Sequence, residues 1–206
     1  VSFYKIKRTG ASVFTIKNAY AGASEIKELN DTKSGGAFNI TLELEGSDGQ
    51  LKTFEFVTAG VQKNRKPTFV YDKYRKLHYI LTGDEVQHIP TEPKPVMVWD
   101  NEARQEVEVI KEVITQCVGQ QIIACYERTV EDKWNSDGEM KDFVVVRAFL
   151  DADTKRSYGE IKADDAEAKY YKEFLEKRDS DYVVDKRKDT KCNDDETVTH
   201  NRNCHC

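Results

Sequence analysis

The sequence predicts a mainly β protein: an antiparallel barrel with one helix packed on its outside, followed by a C-terminal extension with a short helix. Short segments rich in aromatic and β-branched residues recur through the first hundred residues, and one of them alternates apolar and polar residues with a period of two. After residue 100, apolar residues recur at helical spacing instead. We therefore expect a barrel unit with its helix over residues 1–150 and an extension over residues 151–206.

The clearest feature of the expected sheet is a hairpin. Residues 38–45 alternate apolar and polar side chains, residues 46–49 supply glycine and aspartate for a tight reversal, and residues 51–57 resume the strand pattern. Further segments have strand composition, at residues 3–7, 13–17, 67–71, 77–81 and 96–99. With no helix expected among them, these segments indicate an antiparallel meander, and a sheet of about eight strands closes into a small barrel.

The external helix is predicted over residues 101–118. Asp100 or Asn101 can cap its N-terminus, and Gly119 is a natural C-terminal stop. Apolar residues recur along it at helical spacing, with glutamates and lysines on the opposite face. We expect this apolar stripe to pack against the outside of the sheet.

Beyond this helix the sequence predicts two more strands, at residues 121–126 and 143–150, with a polar loop between them. A second amphipathic helix is predicted over residues 164–177. From residue 178 onward the chain is charged and carries cysteines, so we expect it to be loop.

The cysteines all lie in the second half of the chain. They are Cys117, Cys125, Cys192, Cys204 and Cys206. Their clustering predicts one or two disulfides in the C-terminal segment, with the pairing open and one thiol left over. A metal site formed with the histidines of the tail is the less favoured alternative, because no C-x₂-C spacing is present.

Two features predict that the protein is secreted and extracellular. The chain begins at Val1 without a methionine, as a mature protein does after removal of a signal peptide. Asn30 and Asn39 lie in N-x-[ST] sequons, which would be glycosylated in the secretory pathway.

Composition excludes several classes of function. The formal net charge of −5 comes from intermixed acidic and basic residues, which argues against a nucleic-acid partner. No apolar run is long enough to cross a bilayer. The usual catalytic signatures are absent, and the acidic run that starts at Asp151 lacks the glycine and the final glutamate of a calcium loop. We expect a protein that is not an enzyme and holds no cofactor or metal.

The remaining candidate site is the interior of the barrel. Strand parity predicts that several apolar and aromatic side chains face it, and these are the candidate ligand-binding residues: Leu42, Phe54, Phe56, Phe69, Tyr71, Tyr79 and Trp99. The alternative is that they simply fill a solid core. Tyr71, Tyr79 and Trp99 are the more suggestive, because each carries a polar group that needs a partner once buried.

The order of elements between Pro67 and Cys125 resembles that of the tick salivary branch of the lipocalins, which includes the histamine-binding proteins. In both, a hairpin precedes an aromatic strand that ends near a tryptophan, here Trp99, and a helix with a cysteine, here Cys117, follows before a last cysteine. The resemblance implies a lipocalin barrel that binds a small ligand. Met97 stands where an amine binder would carry an acidic residue, so we expect a hydrophobic or amphipathic ligand.

Three functional hypotheses follow from these sequence patterns. The first is a non-catalytic carrier that sequesters a small hydrophobic or amphipathic molecule in a cavity. The second is an effector that binds a host protein through its loops or its C-terminal extension. The third is a scavenger of biogenic amines.

Overall fold

The computed structural model describes residues 6–22, 37–46, 51–60, 69–85, 91–100, 102–132 and 139–187. The strands of this part of the chain are β1 (Gly10–Gly22), β2 (Ala37–Gly46), β3 (Leu51–Gly60), β4 (Glu92–Asp100), β5 (Gln105–Val113), β6 (Gln121–Asp132), β7 (Met140–Asp151) and β8 (Val183–Asp185). The helices are α1 (Phe69–Thr82), α2 (Tyr158–Lys162) and α3 (Lys169–Lys177), and a short 3₁₀ helix, Thr115–Cys117, joins β5 to β6. The protein is therefore mainly β, as its sequence predicts.

The strands form one mixed sheet organised around β1. One edge of β1 pairs with β2, and the other edge pairs first with β6 and then, at Tyr20 and Ala21, with β5. Outward from β1, β3 follows β2, β4 follows β5, and β7 follows β6. All of these pairs are antiparallel, whereas β8 runs parallel to β6. Among the described residues β3, β4 and β7 each pair with a single neighbour, so the sheet is not closed into a barrel.

Several predicted strands are present. The hairpin of residues 38–45 and 51–57 is confirmed as β2 and β3, which pair antiparallel. The segments predicted at 121–126 and 143–150 lie within β6 and β7. The segments 13–17 and 96–99 also lie in strands, β1 and β4. The expected strand at 3–7 falls largely outside the described residues.

The prediction of a helix over residues 101–118 is wrong. Most of this segment is β5, which pairs residue by residue with β4 from Glu92↔Val113 to Asp100↔Gln105. The segment contains two competing periods, because Val107 and Val109 also alternate with glutamates at a spacing of two. Pairing with β4 selects the period of two, so the segment forms a strand and not a helix.

The prediction of strands at 67–71 and 77–81 is also wrong, since residues 69–82 form the single helix α1. Tyr74, Leu77 and His78 recur at helical spacing and are all buried. Asp72 and Lys76 form an (i, i+4) ion pair with an Oδ2–Nζ distance of 2.7 Å. The aromatic content that suggested strands therefore belongs to the apolar stripe of an amphipathic helix.

The end of the β6–β7 hairpin that contains residues 122–127 is buried on both faces. The main core lies on one face, where Tyr74 and Leu77 of α1 pack with side chains of β1, β2, β6 and β7. A smaller cluster lies on the other face, where Phe174 of α3 packs with residues of β6 and β7. This hairpin is therefore the middle layer between α1 and α3.

The extension is more ordered than its sequence suggests. The helix predicted over 164–177 is present only from Lys169 as α3, and α2 precedes it. Ser157 begins α2 with a capping box in which its side chain and that of Glu160 each bond the other's backbone N–H. The expectation of loop from residue 178 is wrong for β8, which extends the sheet beside β6.

Candidate functional site

A cavity of about 440 Å³ lies between α1, the β7 strand and α2, with α3 at one side. Its lining combines apolar, aromatic and basic side chains. The residues that line it are Asp72, Lys73, Lys76, Leu77, Arg147, Ala148, Phe149, Ser157, Tyr158, Gly159 and Tyr170. Pockets of this size and mixed character are typical of small-molecule sites.

A β-bulge places the arginine of this cavity. Cys125 of β6 is opposite Ala148, and the next pair is Tyr126 opposite Val146, so Arg147 is the extra residue of β7. Such a bulge redirects one side chain while the strand continues on both sides of it. Arg147 thereby leaves the regular alternation of an otherwise apolar strand and reaches the cavity.

The guanidinium of Arg147 is hydrogen-bonded to a buried carboxylate, that of Glu127. The Glu127 side chain is only 3% exposed, and its Oε2 accepts a hydrogen bond from Nε of Arg147. Its Oε1 accepts from Nε of Arg178, which follows α3. Arg178 in turn lies over the rings of Phe174 and Tyr182, 5.0 and 5.7 Å from their centroids. The two arginines therefore stabilise Glu127 in place, because a buried carboxylate without a partner is strongly unfavourable.

Two lysines of α1 add positive charge to the cavity. Lys73 donates a hydrogen bond from Nζ to the carbonyl oxygen of Val146 on β7, over 2.7 Å. Desolvation, and secondarily the charge of Arg147, lowers the pKa of Lys73 below its ordinary value. Lys76 is paired with Asp72, which is the one carboxylate in the lining. The lining therefore carries three basic groups and one acidic group.

The opposite wall is α2, which a polar network ties to the end of α1. Glu85 accepts hydrogen bonds from Tyr158 and Lys162 of α2 and from Arg75 of α1. The hydrogen bond from Lys162, followed by that from Tyr158, lowers the pKa of the Glu85 carboxyl to about 2. Tyr79 of α1 also meets Tyr158 edge to face, with their ring centroids 5.3 Å apart.

Gly159 leaves part of this wall open. A Cβ atom built at Gly159 would have no atom within 4 Å. A larger side chain at this position therefore has room to extend without displacing a neighbour. Because Gly159 also lines the cavity, substitutions at this position test whether a ligand binds there.

The residues predicted to bind a ligand are dispersed. Leu42 is completely buried in the main core with Tyr74 and Leu77, in agreement with the core alternative. Tyr79 lies on α1 and not on a strand, half-buried beside the cavity wall formed by Tyr158. The other candidates are placed by their backbone alone, with Phe54 and Phe56 in β3, Phe69 and Tyr71 in α1, and Trp99 in β4.

The residues that form the cavity were not found from the sequence. Arg147 is the only charge within a run of apolar residues, and that interruption was the available signal. Lys73 and Lys76 lie between the segments predicted as strands, 67–71 and 77–81, so the sequence did not indicate that they share one helix. His78 of α1 is buried near this site, and its Nε2 lies 2.8 Å from Oε1 of Gln116.

The cysteines of the described residues are free thiols. Cys117 lies in the main core and Cys125 in the cluster beneath α3, so the sheet separates them. Burial raises the pKa of each thiol to about 12. Cys192, Cys204 and Cys206 lie outside the described residues, as does Asn30, while Asn39 lies in β2 opposite Gly22. Disulfides and glycans stay predictions.

Comparisons with known proteins assign no family. Neither the scan against protein-family models nor the search of curated proteins found a match to this chain. In the part of the chain that the structure describes, no cluster of three or more histidine, cysteine or acidic residues is arranged to hold a metal ion. None of the helices described is long and apolar enough to span a membrane.

Proposed function

We propose that this protein binds and sequesters a small amphipathic ligand in the cavity between α1, β7 and α2, without making or breaking a covalent bond. The observation that carries the proposal is the composition of the lining. The half-buried Ala148 and Tyr158 and the exposed ring of Tyr170 offer an apolar surface to a hydrophobic body. The basic residues beside them offer a place for an anionic head. An enclosed apolar surface with a few polar groups is what such ligands require.

The charges in the cavity favour an anion over an amine. Lys73, Lys76 and Arg147 outnumber the one acidic residue, Asp72, and that carboxylate is already paired with Lys76. An ammonium group would be repelled by this surplus of positive charge. The biogenic-amine hypothesis is therefore the weaker one at this site.

A lipocalin-like barrel and secretion belong to the same proposal. The mainly β fold supports a lipocalin-like architecture, and the two sequons support secretion. The element order of residues 67–125 does not add to this support, because residues 69–82 form a helix and residues 105–113 a strand. The proposed ligand position differs from the interior that strand parity suggested, because Tyr74 and Leu77 of α1 pack on the sheet face that carries Leu42. Leu42, the predicted cavity residue whose side chain is described on that face, lies in this core.

A second candidate function is binding of another protein through the β4–β5 hairpin. Met97 and Ile110 are 48% and 68% exposed. Met97 of β4 is opposite Glu108 of β5, and Ile110 of β5 is opposite Pro95 of β4. Glu108 and Ile110 are two residues apart on one strand and so share a face, which places Met97 and Ile110 on the same face of the hairpin. Exposed apolar residues on one face are typical of interaction surfaces.

The test uses dodecanoate and a series of substitutions at Gly159. Gly159→Leu is expected to obstruct part of the cavity lining and to weaken one-to-one binding measured by isothermal titration calorimetry. Gly159→Ala, which adds a single methyl group, is expected to retain most of the affinity. Both variants are expected to fold, because nothing obstructs a Cβ atom there and alanine favours a helix over glycine.

Ala166→Leu is the matched control, because Ala166 is exposed and lies outside the cavity lining. It adds the same side chain and is expected to bind as the wild type does. Binding that survives Gly159→Leu unchanged would place the ligand elsewhere. Absence of binding to the wild type, for dodecanoate and for uncharged dodecanol alike, would favour the protein-binding candidate.

A further inference from the structure

We infer that Arg147 recognises the head of the ligand, that this head is a carboxylate, and that the buried Glu127 positions Arg147 to do so. The inference rests on the proposed function and gives it a specific chemistry. Three observations carry it: the bulge at Arg147, the hydrogen bond at its Nε, and the prior engagement of the two lysines.

The hydrogen bonding of Arg147 leaves one end of its guanidinium available. Its Nε is bonded to Glu127. Among the described residues, no hydrogen bond is made by its terminal nitrogens Nη1 and Nη2. These two nitrogens form a planar fork whose parallel N–H groups match the two oxygens of a carboxylate. Arg147 lines the cavity, so the fork is available to a ligand there.

Glu127 fixes the plane of this fork. Its carboxylate is buried and held on its second oxygen by Arg178, which stacks against aromatic rings. The β-bulge in β7 also constrains the backbone of Arg147. A donor held in place before the ligand arrives loses little conformational entropy on binding. Glu127 is thus a positioning residue, which acts on the ligand through Arg147.

The other basic groups favour a carboxylate over a phosphate. Lys73 bonds the Val146 carbonyl oxygen, and Lys76 is paired with Asp72. A phosphate monoester presents three terminal oxygens and up to two negative charges, so it needs more donors than one fork supplies. A single carboxylate is satisfied by Arg147, with the charge of Lys73 adding to the attraction.

The experiment compares three ligands with the same chain: dodecanoate, dodecanol and dodecyl phosphate. For the full-length wild type we expect dodecanoate to bind about ten- to a hundredfold more tightly than dodecanol, as a charge-assisted bidentate bond would provide. Arg147→Gln is expected to reduce the ratio of the dodecanol Kd to the dodecanoate Kd to near one, while the Kd of dodecanol itself stays unchanged. Unchanged dodecanol binding reports that the cavity itself is intact.

Glu127→Gln tests positioning. It is expected to lower the ratio toward that of Arg147→Gln, again with dodecanol binding retained. Because this variant leaves two arginines beside a neutral amide, the double variant Glu127→Gln/Arg178→Gln, which keeps Arg147 and removes the second cation, is measured beside it. In Arg147→Ala, added methylguanidinium is expected to restore part of the preference for dodecanoate, which a purely structural role would not explain.

Arg128→Gln is the matched control, since Arg128 pairs with Asp142 across the same two strands at an exposed position outside the cavity. For Arg128→Gln, the ratio of the dodecanol Kd to the dodecanoate Kd is expected to equal that of the wild type. Equal binding of dodecanoate and dodecanol to the wild type would overturn the inference and leave the proposed function standing. Dodecyl phosphate binding more than tenfold more tightly than dodecanoate would overturn the choice of head group. Failure of all three ligands to bind would reject the proposed function itself.

Discussion

The hairpins β4–β5 and β6–β7 are both long antiparallel pairs, yet their surroundings differ. Residues 122–127 of β6 are buried without interruption, because α1 covers one face of that hairpin and α3 the other. Among the described side chains of β4, Val96 is the one that is buried, and most of its neighbours are exposed. Strand pairing by itself therefore does not make a layer of the core, since burial depends on what packs against the two faces.

The same contrast applies to regularity. The β4–β5 register runs without a shift from end to end. The β6–β7 register has a bulge at Arg147, and the proposed site lies there. A bulge inside a covered hairpin places a charged side chain at the margin of an apolar interior, here within hydrogen-bonding distance of the buried Glu127. In an exposed hairpin the same bulge would aim a side chain into solvent.

The largest expected effect is on stability, and it separates the two hairpins. Phe174→Ala removes the buried ring that covers β6 and β7, so we expect a loss of about 3–5 kcal/mol in the free energy of unfolding. Met97→Ala on β4 is the counterpart, with an expected change within about 0.5 kcal/mol because the side chain is largely exposed. Urea denaturation followed by circular dichroism measures both. Similar losses for the two variants would mean that the hairpins are equally covered.

The second expected effect concerns thiol reactivity in the covered region. Cys117 and Cys125 lie on opposite faces of the sheet and both have a pKa raised to about 12 by burial. The thiolate is the reactive form, so we expect neither to be alkylated by iodoacetamide at pH 8 until the protein is unfolded. Peptide mapping by mass spectrometry reports each site separately. Phe174→Ala should expose Cys125 before Cys117, and equal labelling of both would contradict the two-face arrangement.

The smallest expected effect concerns the contact between α1 and α2 beside β7. Glu85 has a folded pKa of about 2, below its ordinary value of 4.5, so the folded state binds fewer protons than the unfolded state between these values. Its contribution to stability is present above about pH 4.5 and is lost as the pH falls toward 2. Glu85→Gln should therefore show a shallower fall in stability over this interval.

Glu173→Gln is the control for this measurement, because Glu173 forms an exposed ion pair with Lys177 inside the same helix, α3. Thermal unfolding at several pH values between 2 and 6 would compare the two variants. A pH dependence that is identical in Glu85→Gln and the wild type would show that the network around Glu85 does not form in solution.

Much of the strand content was predictable, and the reason lies in local pattern. Residues 38–45 and 51–57 combine a clean period of two with turn residues between them, so local sequence and tertiary context agree on β2 and β3. The errors fall where two periods coexist. The segment 105–113 satisfies both a helical and a strand pattern, and the aromatic segments around 69–82 have strand composition but helical spacing.

The candidate site was out of reach for a different reason. Lys73, Arg147 and Gly159 lie on three separate elements, and their proximity depends on α1 packing beside β7 and on α2 closing against α1. No local pattern encodes such long-range contacts. Strand parity selected Leu42, which belongs to the solid core, because parity reports a face of the sheet and not what covers that face.

The sequence by itself determined a mainly β chain, the β2–β3 hairpin, the two strands of the later hairpin and the helical character of residues 169–177. These follow from periodicity and turn chemistry, which act over a few residues. The tertiary structure alone decided that residues 69–82 are a helix and residues 105–113 a strand, because a partner surface selects between periods of similar strength. The tertiary structure also decided that Arg147 bonds Glu127 and lines the cavity. This position depends on the β-bulge in β7 and on the two helices that cover the hairpin, and neither is encoded by the residues next to Arg147.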